Sequence, residues 1–144
     1  MRLDPARYVE RSPIGDVVSR ALNAPPELRD YQVVAEDAAR AAITKHSSTL
    51  LVLCTGAGKT VIFSDIARKA SVLGRRVLIL AHRDTLIKQA SRKLTDYCVE
   101  HGVIMAGFTP QHHCRVQVAS VQTIVRRLDK LPYVFDLVVI DEAH

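Results

Sequence analysis

Short, nearly all-apolar runs alternate with amphipathic stretches along most of this chain, and that alternation leaves few folds open. The runs are Thr49 to Cys54, Arg76 to Ala81, Val103 to Ala106, Arg115 to Ala119 and Phe135 to Ile140. Each is the length of a strand and too apolar to keep one solvated face, which predicts strands buried on both sides. Between them the apolar residues take helical spacing. From Glu27 a helix is expected on Tyr31, Val34, Ala35, Ala38, Ala42 and Ile43. A second carries Ile62, Ile66, Ala70 and Leu73, with Gly74 placed as its C-terminal cap. A third starts near Asp84, bears Leu86, Ile87, Ala90, Leu94, Tyr97 and Cys98 on its apolar face, and closes near Gly102. A short fourth runs from about Val121 to Leu128. Strands that alternate with helices imply an α/β domain with a mainly parallel sheet and right-handed crossovers.

With 144 residues the chain can bury one core. Residues 1–26 have little periodicity and read as a lead-in, so the domain is placed at residues 27–144. Asp4, Arg7, Glu10, Arg11, Asp16 and Arg20 interrupt the start too often for a signal peptide, and no run approaches the length of a membrane span. Cys54, Cys98 and Cys114 form no CxxC pair. That pattern argues against a disulfide framework and for a reducing, cytoplasmic setting. Lys and Arg number 20 against 15 Asp and Glu, a formal net charge of +5, which favours polyanionic partners without identifying one.

The chemistry concentrates where the first apolar run ends. Thr55-Gly56-Ala57-Gly58-Lys59-Thr60 stands between an expected strand and an expected helix, the setting a phosphate-binding loop requires. Gly56 and Gly58 allow the backbone N–H groups to turn toward phosphate oxygens, and the helix N-terminus adds partial positive charge. Lys59 can then reach the β and γ phosphates of ATP, and the Thr60 hydroxyl can ligate Mg²⁺. The strict pattern has glycine where this chain has Leu53, a departure that counts against a small GTPase or a small-molecule kinase. The last apolar run, FDLVVI, ends in Asp141-Glu142-Ala143-His144. In an open α/β sheet ligands bind beyond the carboxyl ends of the strands, so this tip can lie beside the phosphate loop. Asp141 is then placed to hold Mg²⁺ through water, and Glu142 to orient and deprotonate the attacking water.

On these motifs the chain resembles the superfamily-two helicases, whose acidic box is read here as DEAH. Leu28-Arg29-Asp30-Tyr31-Gln32 is similar to the L-R-x-Y-Q motif of the branch that contains type III restriction motors and excision-repair helicases. The resemblance implies a RecA-like P-loop domain in which Gln32 hydrogen-bonds the adenine edge and Arg29 assists. The run VLILAHRDTLIKQA, Val77 to Ala90, resembles a block that contacts the nucleic-acid backbone, with Arg83 as the phosphate contact. VASVQT, Val118 to Thr123, resembles a later block of the same kind, with Ser120 where threonine is usual. Ser120, Gln122 and Thr123 are its candidates, although Ser120 could equally cap the following helix. His144 would link nucleotide state to the rest of the motor.

A complete motor of this kind has a second RecA-like domain that supplies arginines to the transition state, and this chain is expected to end before it. Without arginines of that sort, worth on the order of 10³ to 10⁵ in rate, turnover should be slow or absent. The sheet should also keep an uncovered edge. Two functions are therefore weighed: the ATP-binding half of a nucleic-acid-dependent motor, on DNA rather than RNA, or a nucleotide- and nucleic-acid-binding module without turnover. Cys98, His101, His112, His113 and Cys114 match no common metal-ligand spacing and read as structural.

Overall fold

A computed structural model of the chain describes residues 25–54 and 56–141. The readings made on the lead-in before residue 25, and on Thr55, Glu142 and His144, lie outside the described residues. Among the described residues four helices and four strands follow in the order α1 (Asp30–Lys45), α2 (Lys59–Val72), β1 (Val77–Ala81), α3 (Asp84–Asp96), β2 (His101–Ile104), β3 (Val116–Ser120), α4 (Val121–Arg127) and β4 (Leu137–Ile140), with a 3₁₀ turn at Leu128–Lys130.

The sheet is wholly parallel in the order β2-β3-β1-β4. Val77 pairs with Val116 on one side and with Leu137 on the other, and His101 pairs with Val116. β1 and β3 are buried along nearly their whole length, as their unbroken apolar sequence requires. One face packs Val77, Ile79, Ala81, Val116 and Val118 against Phe63 and Ala67 of α2 and Ile87, Ala90 and Leu94 of α3. The opposite face packs Leu78, Ile104 and Ala119 against Ile124 of α4, with Leu131 and Phe135 beside them. This is the α/β arrangement that the alternation predicts, and the RecA-like fold that the resemblance implies.

Four expectations are corrected. Thr49 to Cys54 does not enter the sheet: it has no strand pairing, and Leu50 and Val52 are 71% and 78% exposed. An apolar run becomes a strand only when a ladder satisfies its N–H and C=O groups, and this segment pairs with none of the four strands of the sheet. The buried face of α1 is Gln32, Glu36 and Ala39, while Tyr31, Val34 and Ile43 face outward, Val34 at 68% exposure. The reason is ionic and hydrogen-bonding contact with α2, set out below, which outweighs a weak apolar stripe.

The third helix stops at Asp96 rather than near Gly102. Its end is a left-handed cap in which Val99 N–H bonds Leu94 O at 2.8 Å and Cys98 N–H bonds Thr95 O at 2.9 Å. Cys98 itself takes φ +56° and is exposed, so it is not on the buried face. Gly102 instead lies inside β2 opposite Gln117, whose buried side chain leaves no room for a Cβ there. Gln117 Nε2 donates to Gln111 O and Cys114 O, at 2.7 and 3.0 Å, and so fastens the loop that returns to β3. The same cap closes α2, with glycine in place: Gly74 has φ +79°, Gly74 N–H bonds Ser71 O and Arg75 N–H bonds Ala70 O.

His101 joins α3 to the sheet edge. Its Nδ1–H donates to Val99 O at 2.8 Å, which leaves Nε2 to accept from the Ser91 hydroxyl at 2.7 Å. Burial holds its pKa below the ordinary imidazole value, in keeping with a neutral ring used on both nitrogens.

A left-handed conformation costs an ordinary residue about 1–2 kcal/mol and glycine almost nothing. Cys98→Gly is therefore expected to raise stability by about 0.5–1 kcal/mol in chemical denaturation, after the extra chain entropy of glycine is set against the relief. An unchanged or lowered midpoint would contradict the cap assignment.

Candidate nucleotide site

The loop between residues 54 and 59 turns through two left-handed glycines, Gly56 at φ +82° and Gly58 at φ +79°. Gly58 caps α2 without a side-chain bond, and its carbonyl accepts from Val61 and Ile62 at 3.0 and 3.2 Å. The first turn of α2 holds no acidic residue, so nothing negative competes for the N–H groups that begin the helix. Lys59 is exposed there. Thr60 is half-buried, and its carbonyl accepts from Ser64 Oγ at 2.7 Å. Thr60 also lines a cavity of about 260 Å³ with Gln89, Arg92, Lys93 and Asp96 of α3. A larger cavity, about 340 Å³ and mostly apolar, runs along α3 past Met105 and Phe108 and includes none of the candidate residues.

α1 reaches this loop through two side chains. Tyr31 Oη donates to Ala57 O at 3.0 Å, and Gln32 Nε2 donates to the same carbonyl at 3.1 Å. Gln32 Oε1 meanwhile accepts from Arg29 N–H at 3.0 Å, closing the start of α1 as a capping residue at the third helical position does. Ala57 N–H is spent on Cys54 O at 3.1 Å. One hydrogen on Gln32 Nε2 and one lone pair on its Oε1 remain. Arg29 is exposed beside them.

Behind this contact lies an ionic cluster in which the carboxylates are buried and the basic side chains half-exposed. Lys69 Nζ bonds Glu36 Oε1 at 2.6 Å and Asp65 Oδ2 at 2.8 Å, and Arg68 bonds Asp65 Oδ1 at 2.8 Å. Glu36 is 1% exposed, and its Oε2 has no partner among the described residues. Burial pushes the Glu36 carboxyl above its ordinary range, against the pull of Lys69. Burial pushes Asp65 up too, but hydrogen bonds from Lys69 and Arg68 outweigh it and hold Asp65 below its ordinary range. Lys69 is held above its usual value because the two carboxylates overcome its own desolvation. None of these three residues was singled out from the sequence. The visible signal was i, i+4 spacing, Gln32 with Glu36 and Asp65 with Lys69, which puts each pair on one helix face.

The remaining candidates lie along the carboxyl edge of the sheet. The register sets Ser120 beside Ala81 and Ile140 beside Leu80, and Asp141 N–H bonds Leu80 O at 3.0 Å. Ser120, Ala81 and Asp141 thus stand at three neighbouring strand ends. At about 4.8 Å per strand, Ser120 and Asp141 are roughly 10 Å apart across β1. Arg83 follows two residues after β1, exposed, at the start of α3. Ser120 takes the N-cap position of α4 but makes no capping bond, so its hydroxyl is not used in the way the capping reading would have it. Gln122 is exposed on α4 and Thr123 half-buried. Among the described residues Glu100, His113 and Cys114 come close enough to share an ion, with His113 Nε2 3.5 Å from Glu100 Oε1. Of the five residues first weighed as metal ligands, only His113 and Cys114 are in that group.

Residues 25–144 match the family described as type III restriction enzyme, res subunit. The chain belongs to that family. Within it, the chain is the N-terminal RecA-like domain of the superfamily-two helicase type. It is 37% identical over 143 residues to a Saccharomyces cerevisiae protein that carries the name of an ATP-dependent helicase, IRC3, covering 89% of this chain and 20% of that protein. It is 26% identical over 126 residues to the helicase named 109L of Invertebrate iridescent virus 3, covering 81% of this chain and 37% of the viral protein. Among solved structures it is similar in fold to the ATP-dependent type ISP restriction-modification enzyme LlaBIII bound to DNA. That likeness has a TM-score of 0.52 at 23% identity and covers 81% of this chain and 9% of that one. The chain therefore spans well under half the length of each of these relatives.

Gly58 is the residue on which loop and α1 converge. A Cβ there would lie 2.5 Å from Gln32 Nε2 on a backbone that strains any side chain. Gly58→Ala should destabilise the chain by about 1–3 kcal/mol in urea denaturation. A change below a few tenths of a kcal/mol would show that the two elements do not meet this way.

Proposed function

We propose that this chain is the ATP-binding half of a nucleic-acid-dependent ATPase that acts on DNA, and that hydrolysis drives translocation or strand separation in the complete protein. The observation that carries the reading is the meeting of Tyr31 and Gln32 with Ala57 at the mouth of α2, which joins a base-reading helix to a phosphate loop. Phosphates are expected at the N–H groups of Gly58, Lys59 and Thr60, with Gly56 and Ala57 shaping the turn and Thr55 beside them. Lys59 supplies the mobile positive charge, and the spare donor and lone pair of Gln32 read the adenine edge, with Arg29 near. Gln32 is what makes ATP the preferred nucleotide.

The donor set suits Mg²⁺, a hard cation that takes oxygen ligands: the Thr60 hydroxyl, and Asp141 through water. The ion's part is to neutralise phosphate charge. Glu142 orients the attacking water and takes its proton, and His144 passes the nucleotide state onward. Arg83, Ser120, Gln122 and Thr123 are proposed as contacts to the backbone of the nucleic acid. Support for that lies in the shared sheet edge of Arg83 and Ser120, and in the uncapped Ser120 hydroxyl. DNA is favoured by the restriction-enzyme family and by a formal net charge of +5. A second RecA-like domain is proposed as the partner that closes over the nucleotide. No helix among the described residues is long and apolar enough to cross a membrane, and a cytoplasmic setting is proposed from the cysteine pattern.

Two substitutions separate binding from chemistry. Lys59→Ala should weaken Mg-ATP binding by about 2–4 kcal/mol, the scale of losing a charged partner to a polyanion, in isothermal titration. Unchanged affinity would reject the phosphate-loop assignment. Glu142→Gln in the complete protein should bind ATP normally and lose DNA-stimulated hydrolysis, on the order of 10²-fold or more for a general base. Full turnover would reject Glu142 as the base.

A further inference from the structure

α1 is held to the rest of the molecule by little apolar area. Ala39 is its buried apolar residue, while Tyr31, Val33, Val34 and Ile43 are exposed. Its ties to α2 and the phosphate loop are polar: Tyr31 and Gln32 to Ala57 O, and Glu36 to Lys69. Gln32 and Glu36 stand one helical turn apart on the same face, about 6 Å along the axis. The position of Gln32 over Gly58 is therefore set by two anchors, and the second is a half-buried ion pair, with Glu36 buried and Lys69 40% exposed, joined by a 2.6 Å bond.

That second anchor is built on both sides. Lys69 is gripped at once by Glu36 from α1 and by Asp65 from its own helix, at 2.6 and 2.8 Å. Arg68 in turn fixes Asp65 with two bonds, Nε at 3.0 Å and Nη2 at 2.8 Å to the same oxygen. A flexible lysine held at two carboxylates, one of them fully buried, has little freedom left. An ion pair with its carboxylate out of water is weak as a source of net stability, because desolvation of the acid offsets much of the attraction. Its better-attested use is to select one register of two packed elements, and here the register selected is that of the base-reading helix on the phosphate-loop helix.

We propose that Glu36, Asp65 and Lys69 are positioning residues of the nucleotide site: by fixing α1 on α2 they hold Gln32 over the phosphate loop, and so set the preference for adenine over guanine nucleotides. They touch neither base nor phosphate and act through Gln32. The proposal rests on the reading of Gln32 and the loop given above. Loss of the clamp acts on base recognition and leaves the phosphate cradle of Gly58, Lys59 and Thr60 in place, since that cradle belongs to α2 itself.

The test is titration of the purified chain with Mg-ATP, Mg-GTP and Mg-tripolyphosphate, in wild type, Lys69→Met, Lys69→Arg and Glu36→Gln, with Gln32→Ala as the control. Lys69→Met should bind ATP about tenfold more weakly and reduce the ATP:GTP preference by a similar factor, a change of about 1.4 kcal/mol. Tripolyphosphate should stay within about twofold, and Lys69→Arg should recover most of the preference because it keeps both carboxylate bonds. The proposal is overturned if Lys69→Met, folded by circular dichroism, keeps the wild-type ATP:GTP ratio, or if it loses all three ligands together. Should Lys69→Met not fold, the isosteric Glu36→Gln decides in the same way: a reduced ratio with tripolyphosphate intact supports the clamp, and an unchanged ratio overturns it. A Gln32→Ala variant that keeps the ratio removes the adenine assignment and this proposal with it, whereas the phosphate-loop reading is judged separately by Lys59→Ala.

Discussion

The carbonyl of Ala57 accepts two side-chain donors, one from Tyr31 and one from Gln32, and through that oxygen the first helix is tied to the loop that opens the second. A buried carbonyl with no partner costs about 1–3 kcal/mol, so the loop gains from α1 as much as α1 gains from the loop. Gly58 admits this contact because it has no Cβ, and its left-handed backbone aims the next N–H groups along the axis of α2. If α1 were displaced, the loop would have a free carbonyl and the Gln32 amide would have no fixed place.

The sheet serves this contact by holding α2 still. Phe63 and Ala67 are buried against β1 and β3, so the helix that begins at the phosphate loop is packed into the main core. On its other flank α2 meets α1 through charges rather than methyl groups, with Glu36 and Asp65 sharing Lys69. One face of α2 is thus set by close packing and the other by electrostatic pairing. Close packing gives rigidity, and an ion pair anchored on a buried carboxylate gives register. β4, which leads to Asp141, is an edge strand of this sheet, and its alternate residues, Val138 and Ile140, are exposed. Asp141 at its tip is tied into the sheet by its backbone N–H, which fixes where the strand ends.

What could be read from the sequence follows from the range of the forces involved. The strands at Val77, Val116 and Leu137 and the helix from Asp84 were legible because apolar periodicity is a local property, and these segments obey it. The glycine loop was legible from spacing alone, and Gly74 as a cap from its place after the last apolar residue. Thr49 to Cys54 misled because strand formation needs a neighbour, which composition does not contain. Cys98 misled because a left-handed cap normally falls on glycine, and Gly102 was the nearest one. Glu36 was not legible: charged residues are usually exposed, and only knowledge of Lys69 across the helix pair would place it inside. The glycine turn before α2 was therefore readable, while the ion pair behind it depended on a tertiary contact between two helices.

The central claim is that the start of α1 and the loop before α2 form one nucleotide seat. Amide hydrogen exchange of the chain, with and without saturating Mg-ATP, tests it most directly. The account predicts slower exchange at Gly58, Lys59 and Thr60 together with Arg29 to Val33, and little change along α4 or β2. Slowing of the loop without α1 would contradict the shared seat, and an exchange pattern unaffected by Mg-ATP in both would contradict the nucleotide site itself.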